Sequence, residues 1–141
     1  MIWESVTTCA KCGAKNRLKT ATQDQVPVCG QCKNPLPWIV MGNDAGFQNE
    51  LQTSIPVLVD FWAEWCAPCR ITAPIIDALA GDKAGRIKIL KINVDQNPET
   101  ARRYNVRSIP TMILFIKGNA VETLVGALSK EALLAQLGQY L

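Results

Sequence analysis

The chain contains no histidine. Ser-His and Cys-His catalysis, histidine-ligated zinc and histidine pH switching are therefore excluded. Long apolar runs are missing too: the longest nearly apolar stretch, Ile109 to Ile116, is far short of the roughly 18 residues a membrane span requires. The beginning, MIWESVTTC, lacks the basic-then-apolar layout of a secretory leader, so a cytoplasmic location without a membrane partner is expected. No Gly-x-Gly-x-x-Gly segment occurs, so no nicotinamide or flavin is expected to be bound. Aromatics are scarce at 6%, but 48% hydrophobic against 19% charged residues is the composition of a folded chain rather than a disordered one. At 141 residues there is room for one compact domain and a small appendage. What stands out is cysteine: six residues in three Cys-x-x-Cys pairs.

The net charge of +3 is unevenly placed. Residues 1–35 carry five basic side chains (Lys11, Lys15, Arg17, Lys19, Lys33) against Glu4 and Asp24, whereas residues 36–141 balance ten against ten. The N-terminal piece also holds four of the six cysteines. It is polar and poor in aliphatic residues, and a segment this short needs a metal or disulfides to fold. Asn34-Pro35-Leu36-Pro37-Trp38 marks a boundary, with two prolines giving a short, stiff connection. Residues 1–35 and 36–141 are thus expected to form two units close together.

Beyond Trp38, strand and helix signals alternate. Trp38–Met41 is a short apolar run. Asn43 or Asp44 is placed to cap a helix that puts Phe47 and Leu51 on one face. Pro56–Trp62, β-branched and aromatic, is the strongest buried-strand candidate. Ala67 to Leu79 predicts a helix ending near Gly81, bent or interrupted at Pro74. Ile87–Val94 predicts a second strand, and Asn97-Pro98-Glu99 opens a further helix. Thr111–Ile116 and Ala120–Val125 flank Lys117-Gly118-Asn119 as a hairpin. Ser129 caps a last helix whose Leu133, Leu134, Leu137 and Tyr140 form a stripe. The result is an α/β fold, a mixed sheet with helices on both faces.

Cys66-Ala67-Pro68-Cys69 follows the strongest strand and opens a helix. A thiol in the first helical turn lies near unpaired N–H groups and the positive end of the dipole, which favour thiolate; such settings lower a cysteine pKa from about 8.5 to roughly 3.5–7.5. Cys66 is therefore expected to be acidic and accessible. Two intervening residues let the second sulfur reach the first, so Cys69 can resolve a mixed disulfide at Cys66. Pro68 stiffens the turn and Trp65 offers an apolar surface beside the nucleophile. A plain disulfide or half of a metal site are the competing readings; the strand-to-helix position favours redox chemistry.

Asp60-Phe61-Trp62-Ala63-Glu64-Trp65-Cys66-Ala67-Pro68-Cys69 closely resembles the active-site segment of thioredoxins. The likeness extends over most of residues 38–141, through Lys91, Asp95-Gln96-Asn97-Pro98, Val106-Arg107-Ser108-Ile109-Pro110-Thr111 and Gly126. The resemblance implies the thioredoxin fold and dithiol–disulfide exchange with protein substrates. It further implies that Cys66 attacks, Cys69 resolves, Asp60 is a buried carboxylate beneath the pair, and Lys91 is its nearby charge partner. Pro110 would follow a cis peptide bond, and Trp65, Ala67, Pro68, Ile109, Pro110 and Gly126 would line the groove for a substrate's extended backbone. Trp62 reads as core rather than contact surface. The chain departs from the pattern at Ala67, where typical thioredoxins have Gly; one methyl leaves exchange intact, while the dipeptide between the cysteines influences thiolate stability.

Cys9-Ala10-Lys11-Cys12 and Cys29-Gly30-Gln31-Cys32 are separated by 16 residues, within the spacing read as a Cys₄ zinc site. Each pair forms a turn presenting two sulfurs, with Gly13 and Gly30 supplying backbone freedom, and two such knuckles complete a closed, structural tetrahedron. Two disulfides or a rubredoxin-like iron centre are the alternatives, and spacing does not separate zinc from iron. A short Cys₄ module ahead of such a domain resembles the thioredoxin-2 class of bacterial thioredoxins, which implies electrons from an NADPH-dependent thioredoxin reductase. A binding role for the module is a second reading, with Lys11, Lys15, Arg17, Lys19 and Trp3 as a basic surface for nucleic acid; it is disfavoured because a bound metal–thiolate centre offsets most of that charge. A third, within redox chemistry, has oxidation of the metal-bound thiolates release the ion. The balanced charge of residues 36–141 points to a monomer.

Overall fold

The computed structural model describes residues 4–19 and 25–141. The N-terminal piece contains a two-stranded antiparallel sheet, β1 (Glu4–Thr8) and β2 (Lys15–Lys19), joined through Cys9–Cys12. The remainder runs β3 (Ile39–Met41), α1 (Phe47–Glu50), β4 (Val57–Trp62), α2 (Ala67–Asp82), β5 (Lys88–Asn93), α3 (Pro98–Arg103), β6 (Thr111–Ile116), β7 (Asn119–Val125) and α4 (Lys130–Leu137), with a final 3₁₀ turn at Gly138–Tyr140. The five-stranded sheet has the order β3-β5-β4-β6-β7. β3 and β4 flank β5 in parallel, and β6 and β7 add antiparallel.

The strand-to-helix alternation predicted from sequence is present element for element. β4 is central and buried at five consecutive positions, Val57 to Phe61, because helices cover both sheet faces. On one face Phe47, Leu51 and Ala101 from α1 and α3 pack over Val57, Val59, Leu90 and Phe115. On the other, Ile76, Leu79, Leu133 and Leu137 from α2 and α4 pack over Leu58, Ile89 and Met112. Leu134 and Tyr140 complete the stripe expected of the last helix, whose first turn is capped by Ser129.

Three local expectations are corrected. Of the bend or interruption expected at Pro74, interruption is ruled out: α2 runs as one helix to Asp82 with Pro74 inside it. Asn43 and Asp44 do not cap α1 at its Ncap, which is Gly46. Asn43 Oδ1 instead accepts from Gly46 N at 2.7 Å, and Asp44 reaches α3, accepting from the backbone of Glu99 and Thr100 and from the Thr100 hydroxyl. The two knuckles close alike, Gly13 N donating to Cys9 O and Lys33 N to Cys29 O. The left-handed residues are therefore Gly13 (φ 77°) and Lys33 (φ 66°), and Gly30 is not the residue that needs the freedom.

Leu36 is fully buried against Cys9 and Cys29, while Trp38, two residues on, is buried in the core of the five-stranded sheet. The connection therefore places one apolar side chain on each side.

Candidate active site and metal centre

β4 ends at Trp62, and Ala63-Glu64-Trp65 carries the chain to Cys66, the Ncap of α2. Cys66 takes an extended conformation, and its sulfur accepts from the Cys69 N–H at 3.2 Å. A helix with an N–H aimed at that sulfur is the thiolate-favouring setting expected from the sequence. Pro68 sits in the first turn of α2, where a missing N–H costs nothing. Cys66 and Cys69 are joined by a disulfide, their Cα atoms 5.3 Å apart.

In this form Cys66 is only 3% exposed, which corrects the expectation of an accessible sulfur. It lies among Ala63, Trp62, Val94 and Ile109, with its Sγ 3.7 Å from the Ile109 carbonyl. Exposure belongs to its surroundings. Ala67 and Pro68 are exposed. Trp65 is 68% exposed, its indole N–H donating to Asp95 Oδ2 at 2.8 Å. The Ile109–Pro110 bond is cis, the conformation the resemblance implies. Gly126 (φ 92°) donates its N–H to the Pro110 carbonyl at 2.8 Å, and Val125 beside it is 62% exposed.

Asp60 is buried on β4, in register with Lys91 on β5 and Met112 on β6. One carboxylate oxygen, Oδ1, has no hydrogen-bond partner among the described residues. Burial lifts the carboxyl from 3.8 to about 6; the Lys91 charge opposes that rise and Asp77 adds to it. Lys91 is not in ion-pair contact with Asp60. Its ammonium lies 3.2 Å from Asp77 Oδ1 on α2. A cavity of about 430 Å³, open to solvent, is lined by Asp60, Trp62, Cys69, Arg70, Ala73 and Lys91 among others. It brings Asp60 and the second cysteine to one space. Trp62 is only partly core: it lines this cavity, and its indole nitrogen has no partner among the described residues.

Sequence reasoning missed Asp77, Asp95, Val125 and the cavity-lining role of Trp62. Asp77 carried a readable signal, since Cys69, Ala73 and Asp77 recur every four residues and share a helical face. Trp65–Asp95 and Val125 join segments far apart in the chain and had none.

The other four cysteines converge. Their sulfurs all lie within 4.8 Å of one another, with Cys9–Cys32 at 3.6 Å and Cys12–Cys29 at 3.5 Å. A tetrahedral ion with metal–sulfur bonds of about 2.3 Å has sulfur–sulfur edges of about 3.8 Å, so the four are placed to hold one metal ion. Lys11 N, Asn16 Nδ2 and Asn34 Nδ2 point at Cys9, Cys29 and Cys32. The shifts within the cluster are opposed: the Cys32 backbone, aided by Asn16, holds the Cys29 thiol down at about 6 and Asn34 holds Cys32 below its ordinary value, whereas at Cys12 the Ala14 backbone is outweighed by the neighbouring sulfurs, Cys29 first, and the thiol is pushed up to about 12. Lys11, Lys15 and Arg17 are exposed around this centre; Trp3, the aromatic member of the basic surface, lies outside the described residues.

A sheet flanked by helices, with a dithiol pair at the mouth of the helix that follows its central strand, defines a thiol–disulfide oxidoreductase. A thioredoxin family profile matches residues 38–139. The chain is 48% identical over 99 residues to thioredoxin 1 of Synechococcus elongatus, covering 70% of this chain and 92% of that one. It is 50% identical over 100 residues to the thioredoxin of Pseudomonas aeruginosa, covering 70% and 93%. A chloroplastic M-type thioredoxin of Chlamydomonas reinhardtii is 46% identical over 100 residues, covering 70% and 71%. The chain belongs to the thioredoxin family and is a protein-disulfide oxidoreductase, and its N-terminal cysteine cluster matches the thioredoxin-2 class.

Proposed function

We propose that Cys66 and Cys69 reduce protein disulfides in two balanced steps. The Cys66 thiolate attacks one substrate sulfur; the substrate S–S bond breaks, a mixed disulfide forms, and the first substrate thiolate leaves. The Cys69 thiol then gives its proton to the Asp60 carboxylate, through water in the shared cavity, and attacks the Cys66 sulfur. The second substrate sulfur leaves as a thiolate and takes the proton back from Asp60 through the same water, two electrons have passed to the substrate, and the Cys66–Cys69 disulfide remains. Trp65, Ala67, Pro68, Ile109, Pro110 and Gly126 form the docking groove, where the substrate backbone lies extended, and Lys91 tempers the Asp60 charge. An NADPH-dependent thioredoxin reductase restores the dithiol.

The observation that carries this reading is the Cys66 sulfur capping α2 while bonded to Cys69, above a cavity that also holds Asp60. The four N-terminal cysteines hold one structural zinc, closing a module of residues 1–35 ahead of a thioredoxin domain of residues 36–141. Four cysteines standing free in a cluster suit a reducing cytoplasm, and the balanced charge of residues 36–141 suits a monomer.

The test is reduction of a model disulfide protein. Cys66→Ser abolishes turnover, and Cys69→Ser accumulates a covalent mixed disulfide through Cys66, read by mass spectrometry. A Cys66→Ser protein that still turns over, or a Cys69→Ser adduct carried on any other cysteine, overturns the assignment. Zinc counted on the same samples stays at one ion per chain in both variants; iron or no metal refutes the metal assignment.

A further inference from the structure

Asp60 is faced by a small set of charged and titratable groups. β5 presents Lys91, α2 presents Cys69, Arg70 and Asp77, and the segment after β4 presents Glu64; Met112 on β6 and Met41 on β3 are uncharged. Register puts Lys91 beside Asp60 on adjoining strands. The ammonium nevertheless lies 3.2 Å from Asp77 Oδ1, and Asp60 Oδ1 is left without a partner among the described residues. Lys91 is 15% exposed and Asp77 55% exposed at the side chain, so the pair bridges from the buried strand toward solvent.

We propose that Asp77 is a positioning residue for disulfide exchange: by holding the Lys91 ammonium against α2, it keeps that charge from neutralising Asp60 and so keeps Asp60 a strong enough base to take the Cys69 proton. The proposal rests on the reading of Asp60 as proton acceptor. A lysine paired directly with a buried carboxylate pulls its pKa down by roughly one to three units. A carboxylate held that low remains ionised at neutral pH but is a poor acceptor for a thiol proton, because proton transfer is most effective when acceptor pKa and working pH are close. Asp77 acts in the needed direction twice: it occupies the lysine, and its own negative charge opposes ionisation of Asp60, in keeping with the upward push found there. No proton passes through Asp77, which serves only by where it holds Lys91.

The experiment titrates the Asp60 carboxyl carbon by ¹³C NMR in the disulfide form of the full chain, where Cys66 and Cys69 do not titrate. Asp77→Asn lowers the Asp60 midpoint by about one unit, Lys91→Met raises it, and Asp77→Asn in the Lys91→Met background moves it less than half as far as in the wild-type background. A midpoint that stays in place in Asp77→Asn, or that moves equally with and without Lys91, overturns the proposal. The pH profile of the resolving step, followed by single-turnover decay of a preformed mixed disulfide, separates this from the reading beneath it. If the Asp60 midpoint shifts as expected but the rate profile stays still, it is the role of Asp60 as acceptor that fails, while the control of Asp60 by Asp77 stands. If both move together, both hold.

Discussion

At the scale of the single residue, Asp60 shows a function held against stability. Its carboxyl rises from 3.8 to about 6 in the folded protein because burial disfavours the charge. A folded pKa above the unfolded one means that the neutral form suits the fold. The stability present below about pH 4 is therefore lost as pH rises through 6. A rise of that size corresponds to about 3 kcal/mol by pH 7. Asp60→Asn, neutral at every pH, is expected to raise unfolding free energy at pH 7 by up to about 3 kcal/mol and to match wild type at pH 4, measured by urea denaturation at both. The same variant loses the proton acceptor, so its resolving step at pH 7 slows by roughly 10²-fold and no longer falls as pH drops through 6. Equal stability at pH 7, or an unchanged rate profile, contradicts the corresponding half.

Among elements, α3 shows where sequence reading stops. Pro98 at its start was legible, because fixed φ and a missing N–H suit a first turn. The cap was not. Asn97, the Ncap, makes no side-chain cap bond, and Asp44 supplies it from far back in the chain, accepting at 2.9 Å from Thr100 N and 2.6 Å from Thr100 Oγ1. Desolvation pushes the Asp44 carboxyl up, but these bonds, with Glu99 N and nearby Arg103, outweigh it and hold the pKa below 3.8. The Asp44 stabilisation is therefore present above pH 4 and lost as pH falls through the lowered folded value. Asp44→Ala is expected to cost about 1 kcal/mol at pH 7 and progressively less in acid, measured by thermal unfolding across pH; a cost that does not fade in acid contradicts the cap. The same limit governs the active site. Strand β4, the Cys66–Cys69 helix mouth and the four-cysteine spacing were local patterns, so the strand, the pairing of Cys66 with Cys69 and the convergence of the other four sulfurs could be read from them. The Lys91–Asp77 pair and the Trp65–Asp95 bond depend on how α2 and the segment after β5 settle across the sheet. Asp44 failed as a prediction for α1 for the same reason: capping propensity identifies a willing side chain, and packing decides which helix end it meets.

Across the whole molecule, the question is how far the two metal knuckles and the five-stranded sheet depend on one another. Among the described residues the buried apolar cluster around the knuckles comprises Cys9, Cys29 and Leu36, with Ala14 and Cys32 packed against it, too little to offset the entropy of ordering β1, β2 and two turns. The four sulfurs within 4.8 Å of one another also repel as thiolates without a cation between them. The sheet, in contrast, has a core on each face built from its own helices. Under the zinc assignment proposed above, stripping the ion with a chelator under reducing conditions is expected to expose the amides of β1, β2 and both knuckles to hydrogen exchange while β4, β5 and β6 keep their protection. The coupling that remains runs through Val26, packed against the sheet core, and Pro35, whose ring lies against Gly85. Exchange at the start of β3 and around Gly85 should therefore rise modestly. Disulfide reduction should survive, since every proposed groove and proton-transfer residue lies between Asp60 and Gly126. Loss of reduction in step with zinc, while β4 to β6 stay protected, would instead make the metal module part of the substrate site.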